Sequence, residues 1–172
     1  MEIKTHPAMT VLYSTHRTTI GQLYQYVGVV VKELYAEAVN NEVLVGGPAY
    51  WIYHGLDGQP ETVFTLEIAI PIQGKITASK FATKELPSFK AASHVHENGW
   101  TRMPATYAQI MQYIAKNNYR MTGEFREIYW NIDFDNPENN LTEVQIGVFI
   151  NGLQAAIPVG PVEKRALVTS SR

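Results

Sequence analysis

Residues 123–136 read Gly-Glu-Phe-Arg-Glu-Ile-Tyr-Trp-Asn-Ile-Asp-Phe-Asp-Asn. The stretch predicts a strand over 125–132 running into a turn. Side chains alternate along a strand. Phe125, Glu127 and Tyr129 therefore share one side, and Arg126, Ile128, Trp130 and Ile132 the other. Glutamate is depleted in strands, and burying a carboxylate is costly unless something pairs with it. A glutamate between two aromatics on one face thus points to an aromatic trough with a carboxylate ready for a ligand.

Outward from that strand, the elements fall in a regular order. Residues 1–7 read as a short polar lead and 9–16 as a strand. Thr18 or Thr19 is placed to cap a helix. Its apolar stripe is Ile20, Leu23, Tyr24, Val27, Val31, Leu34, Tyr35 and Ala38. Tyr24 and Tyr35 lie on this stripe and are assigned to the core. Asn40-Asn41 stops the helix, and Gly46-Gly47-Pro48 turns the chain. Strands follow over 49–54 and 63–72. In the second, Phe64, Leu66, Ile68 and Ile70 alternate with Thr65, Glu67 and Ala69. Residues 73–87 form a linker with a short strand over 74–79, and 89–97 is again a strand. Pro104 suits the first turn of a second helix. Its stripe is Tyr107, Ile110, Met111 and Ile114, and Asn117-Asn118 ends it. Residues 133–140 are a turn-rich loop, 141–150 a strand, and 151–172 a tail that either adds a strand around 155–159 or stays irregular.

Strand–helix–strand–strand thus occurs twice, over about 8–79 and 88–150. Gly47-Pro-Ala-Tyr-Trp-Ile-Tyr-His54 lies over Gly123-Glu-Phe-Arg-Glu-Ile-Tyr-Trp130, sharing Gly, Ile and Tyr. Thr65-Leu-Glu-Ile-Ala-Ile-Pro-Ile72 lies over Glu143-Val-Gln-Ile-Gly-Val-Phe-Ile150. Two such units are too long and too few for a solenoid. They predict an α+β fold: one antiparallel sheet, two helices packed on one face, and a groove where the halves join. The whole chain, 1–172, is expected to be a single domain. The aliphatic rows Leu66, Ile68, Ile70 and Val144, Ile146, Val148 are expected under the helices. The opposite face is expected to carry Trp51, Tyr53, Phe125, Glu127 and Tyr129, with Glu67 and Gln145. Trp100 and Tyr107, at the start of the second helix, are placed to roof the groove.

Composition narrows the function. The 172 residues are 45% hydrophobic and 17% charged, which suits a folded domain. A net charge of −2 leaves no electrostatic footprint for nucleic acid or anionic membrane. With no cysteine, disulfides, thiolate catalysis and Cys-based zinc sites are excluded. No secretory leader or membrane span is legible, so a cytoplasmic protein is expected. His94 and His96 share a strand face, but no third ligand is evident, so no metal and no cofactor is expected. No Ser-His-Asp order or phosphate-cradling loop appears. Glu127 and Glu67 would make an acid/base pair only if they converge.

The duplicated order, the Gly-x-x-x-Glu-x-Tyr strand, the Gly-Pro-x-x-x-Ile-Tyr strand and a helix over 107–118 leading to Gly123 resemble the GyrI-like domain. This is also the effector-binding domain of multidrug-sensing regulators of the AraC and MerR types. The resemblance covers roughly 8–150. It implies a pocket for lipophilic, often cationic, aromatic compounds, with Glu127 central and Tyr129, Trp51 and Tyr53 as walls. A carboxylate beneath rings suits a large organic cation through Coulomb attraction and cation–π contact. Two departures stand out: no helix-turn-helix segment flanks the domain, and the 22-residue tail falls outside the pattern. The resemblance leaves three functions open. The first is a stand-alone binding domain that senses or sequesters such compounds. The second is a hydrolase of cyclopropane-bearing compounds, with Glu127 acting on water. The third is an interaction module, since one relative inhibits DNA gyrase and related SOUL proteins bind haem. For haem, His94 and His96 are the candidate contacts. A protein partner or a homodimer stays open.

Overall fold

The computed structural model describes residues 1–149. The expected strand around 155–159, the tail, and residue 150 lie outside them. In chain order the elements are β1 (Glu2–His6), β2 (Met9–Thr18), α1 (Val30–Asn40), β3 (Leu44–Val45), β4 (Ala49–His54), β5 (Phe64–Gln73), β6 (Ala82–Leu86), β7 (Phe89–Glu97), α2 (Met103–Lys116), β8 (Arg120–Asn131) and β9 (Leu141–Phe149). The fold is α+β. One antiparallel sheet runs β1-β7-β9-β8-β4-β5-β2-β6, with β3 pairing β5. Exchanging β1, β2, β4 and β5 for β6, β7, β8 and β9 maps this order onto its own reverse, as a duplication requires. The halves join where β4 pairs β8. There Trp51 stands directly opposite its repeat counterpart Glu127, on the pseudo-twofold axis.

Four local expectations change. Residues 2–6 form β1, which pairs β7. The short strand lies at Ala82–Leu86 rather than 74–79, and pairs β2. Each leading strand therefore closes the other half. The first helical stripe is split: residues 20–26 form a 3-10 turn, Gly28 takes a φ of +71°, and α1 starts at Val30. Thr19 precedes the 3-10 turn without a side-chain capping bond. Tyr24 is consequently exposed, whereas Tyr35 packs against the core. The second helix follows its signals. Pro104 sits in its first turn, and the Asn117 side chain donates to the Tyr113 carbonyl at 2.8 Å as it stops. Both helices pack on one face. Leu34 and Ala38 of α1 and Ile110 and Ile114 of α2 enter the same apolar cluster. Burial of each large aliphatic is worth about 2 kcal/mol.

The assignment of faces is corrected by the register. Residues directly opposite in an antiparallel pair point the same way. Glu127 faces Val144 and Trp51; Trp51 faces Ile68; Tyr53 faces Leu66 and Phe125. The aromatic–carboxylate row and the aliphatic row are one face, the face under the helices. Alternation fixes parity within a strand, but only pairing fixes it between strands. The same pairs make Val144, not Ile146, the counterpart of Ile68. A slip of two residues leaves the alternation unchanged and is invisible in it.

The other face has no helix among the described residues, yet Val11, Ile52, Ala69, Ile128, Arg126 and Gln145 on it are at most 1% exposed. Connectivity explains this. Two residues, 7 and 8, join β1 to β2, and two, 87 and 88, join β6 to β7. In a flat sheet each pair of strands would stand about 29 Å apart. Three residue steps span at most about 11 Å. The sheet therefore rolls, drawing its two ends toward one another. At the end of the β1–β7 pair, beside both short connections, the Ser88 hydroxyl donates to the His6 carbonyl at 3.1 Å. The helix-free face is the inside of the roll.

Candidate functional site

Glu127 lies at the middle of β8, at the junction of the halves, and is 7% exposed. Three tyrosines converge on it. Tyr53 of β4 donates its hydroxyl to Oε2 at 2.7 Å, and Tyr129 of β8 donates to the same oxygen at 2.5 Å. Tyr107 of α2 donates to Oε1 at 2.8 Å. The local sequence explains the convergence. Tyr129 is two residues along the same strand face. Tyr53 is diagonal to Glu127 across the β4–β8 pair. Tyr107 is one turn above Ile110, whose burial anchors α2 to the sheet.

Burial and the nearby Glu127 charge hold all three phenols well above their ordinary pKa of 10. They remain O–H donors through the neutral range. Among the described residues no Lys, Arg or His forms an ion pair with Glu127. The carboxylate is hydrogen-bonded but not charge-compensated.

Rings surround this group. Tyr129 meets Trp51 edge-on at 5.7 Å and Trp100 at 5.6 Å between ring centres. Phe125 packs against Tyr107 at 6.2 Å. Trp100 is held by its indole N–H to the Thr142 hydroxyl at 3.1 Å, and its far side meets Phe134 at 6.1 Å. Phe134 is 61% exposed. A chain of rings thus leads from the surface at Phe134 through Trp100 and Tyr129 to the carboxylate. Phe134 lies in the stretch that reads as a turn-rich loop, and an aromatic in a polar turn is the sign that marks it. Two open clefts lie elsewhere. One of about 390 Å3 lies by Met9, Tyr50, Pro71 and Trp130, and one of about 500 Å3 by His94, Arg102 and Gln109. Neither is lined by Glu127, which is closed over.

The structure thus brings together Glu127, Tyr129, Trp51, Tyr53, Phe125, Trp100 and Tyr107. It does not bring Glu67 to them. Glu67 points to the inner face, where Lys84 reaches both its oxygens at 2.6 Å and His54 Nε2 lies 3.3 Å away. Hydrogen bonding by His54 and then Lys84 holds its pKa below the usual 4.5 against the opposing effect of burial. Glu67 and Glu127 face opposite ways and cannot act as an acid/base pair. Gln145 is also on the inner face, donating to Glu143 at 3.2 Å. His96 is buried with Nδ1 2.7 Å from the Thr106 hydroxyl and Nε2 3.2 Å from the Gly99 carbonyl, so both ring nitrogens serve the fold.

Comparison with known proteins adds the following. Residues 1–148 match the family described as GyrI-like small molecule binding domain. No curated protein matches in sequence. Among solved structures, the EcmrR C-terminal domain superposes with a TM-score of 0.69 at 17% identity, over 86% of this chain and 96% of that one. EcmrR in its DNA complex gives 0.71 at 18% identity, over 86% of this chain and 56% of that one, so this chain spans about half its length. SAV2435 bound to tetraphenylphosphonium gives 0.55 at 17% identity, over 86% and 93%. At these identities the likeness is one of fold. No helix among the described residues is long and apolar enough to cross a membrane.

Proposed function

The chain belongs to the GyrI-like small-molecule-binding domain family, and from that premise we propose that it binds lipophilic cationic aromatic compounds over Glu127. The observation that carries this is the state of one carboxylate. It is buried, three neutral hydroxyls hold it, and no cationic side chain of the described residues compensates it. A protein that needed the charge only for packing would have paired or replaced it, since uncompensated burial costs stability. A cation brought to about 5 Å would gain about 3 kcal/mol at an effective dielectric near 20. Trp51, Trp100 and Tyr129 add cation–π contact of about 1 kcal/mol or more each where desolvated. Because the site is closed, entry requires Trp100 to swing off Tyr129, and exposed Phe134 marks where the ligand's rings first land.

Tetraphenylphosphonium is the natural probe, being the cation that SAV2435 is seen to hold. Titration by calorimetry or tryptophan fluorescence is expected to give saturable one-to-one binding. Glu127→Gln is expected to weaken it by about tenfold or more. Undiminished binding to that variant would remove Glu127 from the site, and no binding to the wild type would remove the proposal. The hydrolase reading uses the same carboxylate, whose Oε1 keeps one acceptor position that could take a water proton. Product accumulating beyond one equivalent from a cyclopropane-bearing substrate, and lost in Glu127→Ala, would favour it over simple binding.

A further inference from the structure

We infer that the pocket selects cations without N–H groups, such as quaternary ammonium and phosphonium ions, over protonated amines of the same apolar shape. This rests on the ligand-pocket reading above and adds what the site discriminates. A carboxylate has about four acceptor positions. Two on Oε2 are taken by Tyr53 and Tyr129, and one on Oε1 by Tyr107. The three donors stand on three elements, β4, β8 and α2, so they cannot retire together by one local motion. Their raised pKa values keep them protonated; Tyr53 is buried, and Tyr107 and Tyr129 are half-buried. An ammonium with three N–H groups enters a site with one free acceptor position. It must either leave donors unsatisfied or displace a tyrosine hydroxyl, which then loses its own partner. Either outcome is costly in a dry site. A quaternary or phosphonium centre asks for no acceptor. It uses only the charge, which the hydroxyls do not cancel, and the ring faces of Trp51 and Trp100. The tyrosine triad is thus a filter that admits charge and refuses hydrogen-bond donors.

The test compares one diphenylpropyl skeleton carrying either a primary ammonium or an N,N,N-trimethylammonium group, titrated calorimetrically at neutral pH. The trimethyl compound is expected to bind about tenfold tighter or more to the wild-type protein. Tyr107→Phe clears Oε1 of its only donor, so the primary amine should gain and the ratio should fall toward one. Glu127→Gln controls for the apolar area of the methyl groups, and there the preference should collapse as both compounds weaken. Equal or tighter binding of the primary amine by the wild type overturns the inference and leaves the pocket standing. A trimethyl preference that survives in both variants overturns it too, because methyl burial alone would then explain the preference. Failure of both compounds to bind overturns the pocket reading itself. The wild-type comparison needs no variant to fold.

Discussion

Arg126 and Glu127 are neighbours in sequence, both almost fully buried, and they face opposite ways. On the inner face, Arg126 is compensated within the protein. Its Nε and Nη2 donate to Glu124 Oε1 at 2.7 and 2.6 Å, and its guanidinium lies 3.8 Å from the centre of the Phe89 ring. Nearby, Glu143 accepts from Ser93 at 2.5 Å and from Lys4 at 3.3 Å. On the outer face, Glu127 has hydroxyls but no countercharge among the described residues. The same strand thus carries one buried charge whose countercharge is built in and one that is met by hydroxyls alone among the described residues.

The contrast can be broken from either side. The largest effect is expected from Arg126→Ala, which removes a buried cation, strands Glu124 and empties the space over Phe89. Chemical denaturation should show a loss of about 3 kcal/mol. Tetraphenylphosphonium affinity of the folded fraction should be nearly unchanged, and a collapse of affinity with stability intact would mean the two faces are not independent. Gly147→Ala acts on the same side. An added Cβ would collide with the Thr122 hydroxyl and lie 2.8 Å from Phe89, the ring over Arg126. A loss of about 2 kcal/mol is expected, and a thermal midpoint equal to wild type would show that the inner face is looser than described.

Glu127→Gln tests the other side, with the order of effects reversed. Ligand affinity should fall by about 1.4 kcal/mol or more, while stability should hold or rise, because an uncompensated buried charge is removed. A variant that unfolds instead would make Glu127 a structural residue.

The smallest effect concerns Glu67, whose folded pKa lies below its ordinary 4.5. A depressed carboxylate contributes stability that is full above about pH 4.5 and is lost as pH falls through the folded value. Because Lys84 and His54 are partly exposed, the contribution should stay below about 1 kcal/mol. Denaturation midpoints across pH 3–6 should therefore fall slightly less steeply for Glu67→Gln than for wild type. Identical profiles would show that its ion pair contributes nothing.

The duplication and the α+β class were legible in local residue patterns, and those patterns also nominated the strand that holds Glu127. These are local properties: alternation, helical spacing and a glutamate where glutamate is unfavourable. The sequence also nominated Tyr53 and Tyr129 as walls and Tyr107 as a roof, but not as donors, because a hydroxyl's partner depends on where another strand puts its carboxylate. Tertiary structure alone decided which face was which. The parity of a strand is readable from its own residues, but the parity of one strand against another exists only once they pair. For the same reason alternation alone does not separate Glu67 from Glu127, although the register puts them on opposite faces. The roll of the sheet, and hence the buried charges inside it, was likewise beyond local reading. It follows from two-residue connections between strands at opposite ends of the sheet, and that order is a fact of the assembled fold.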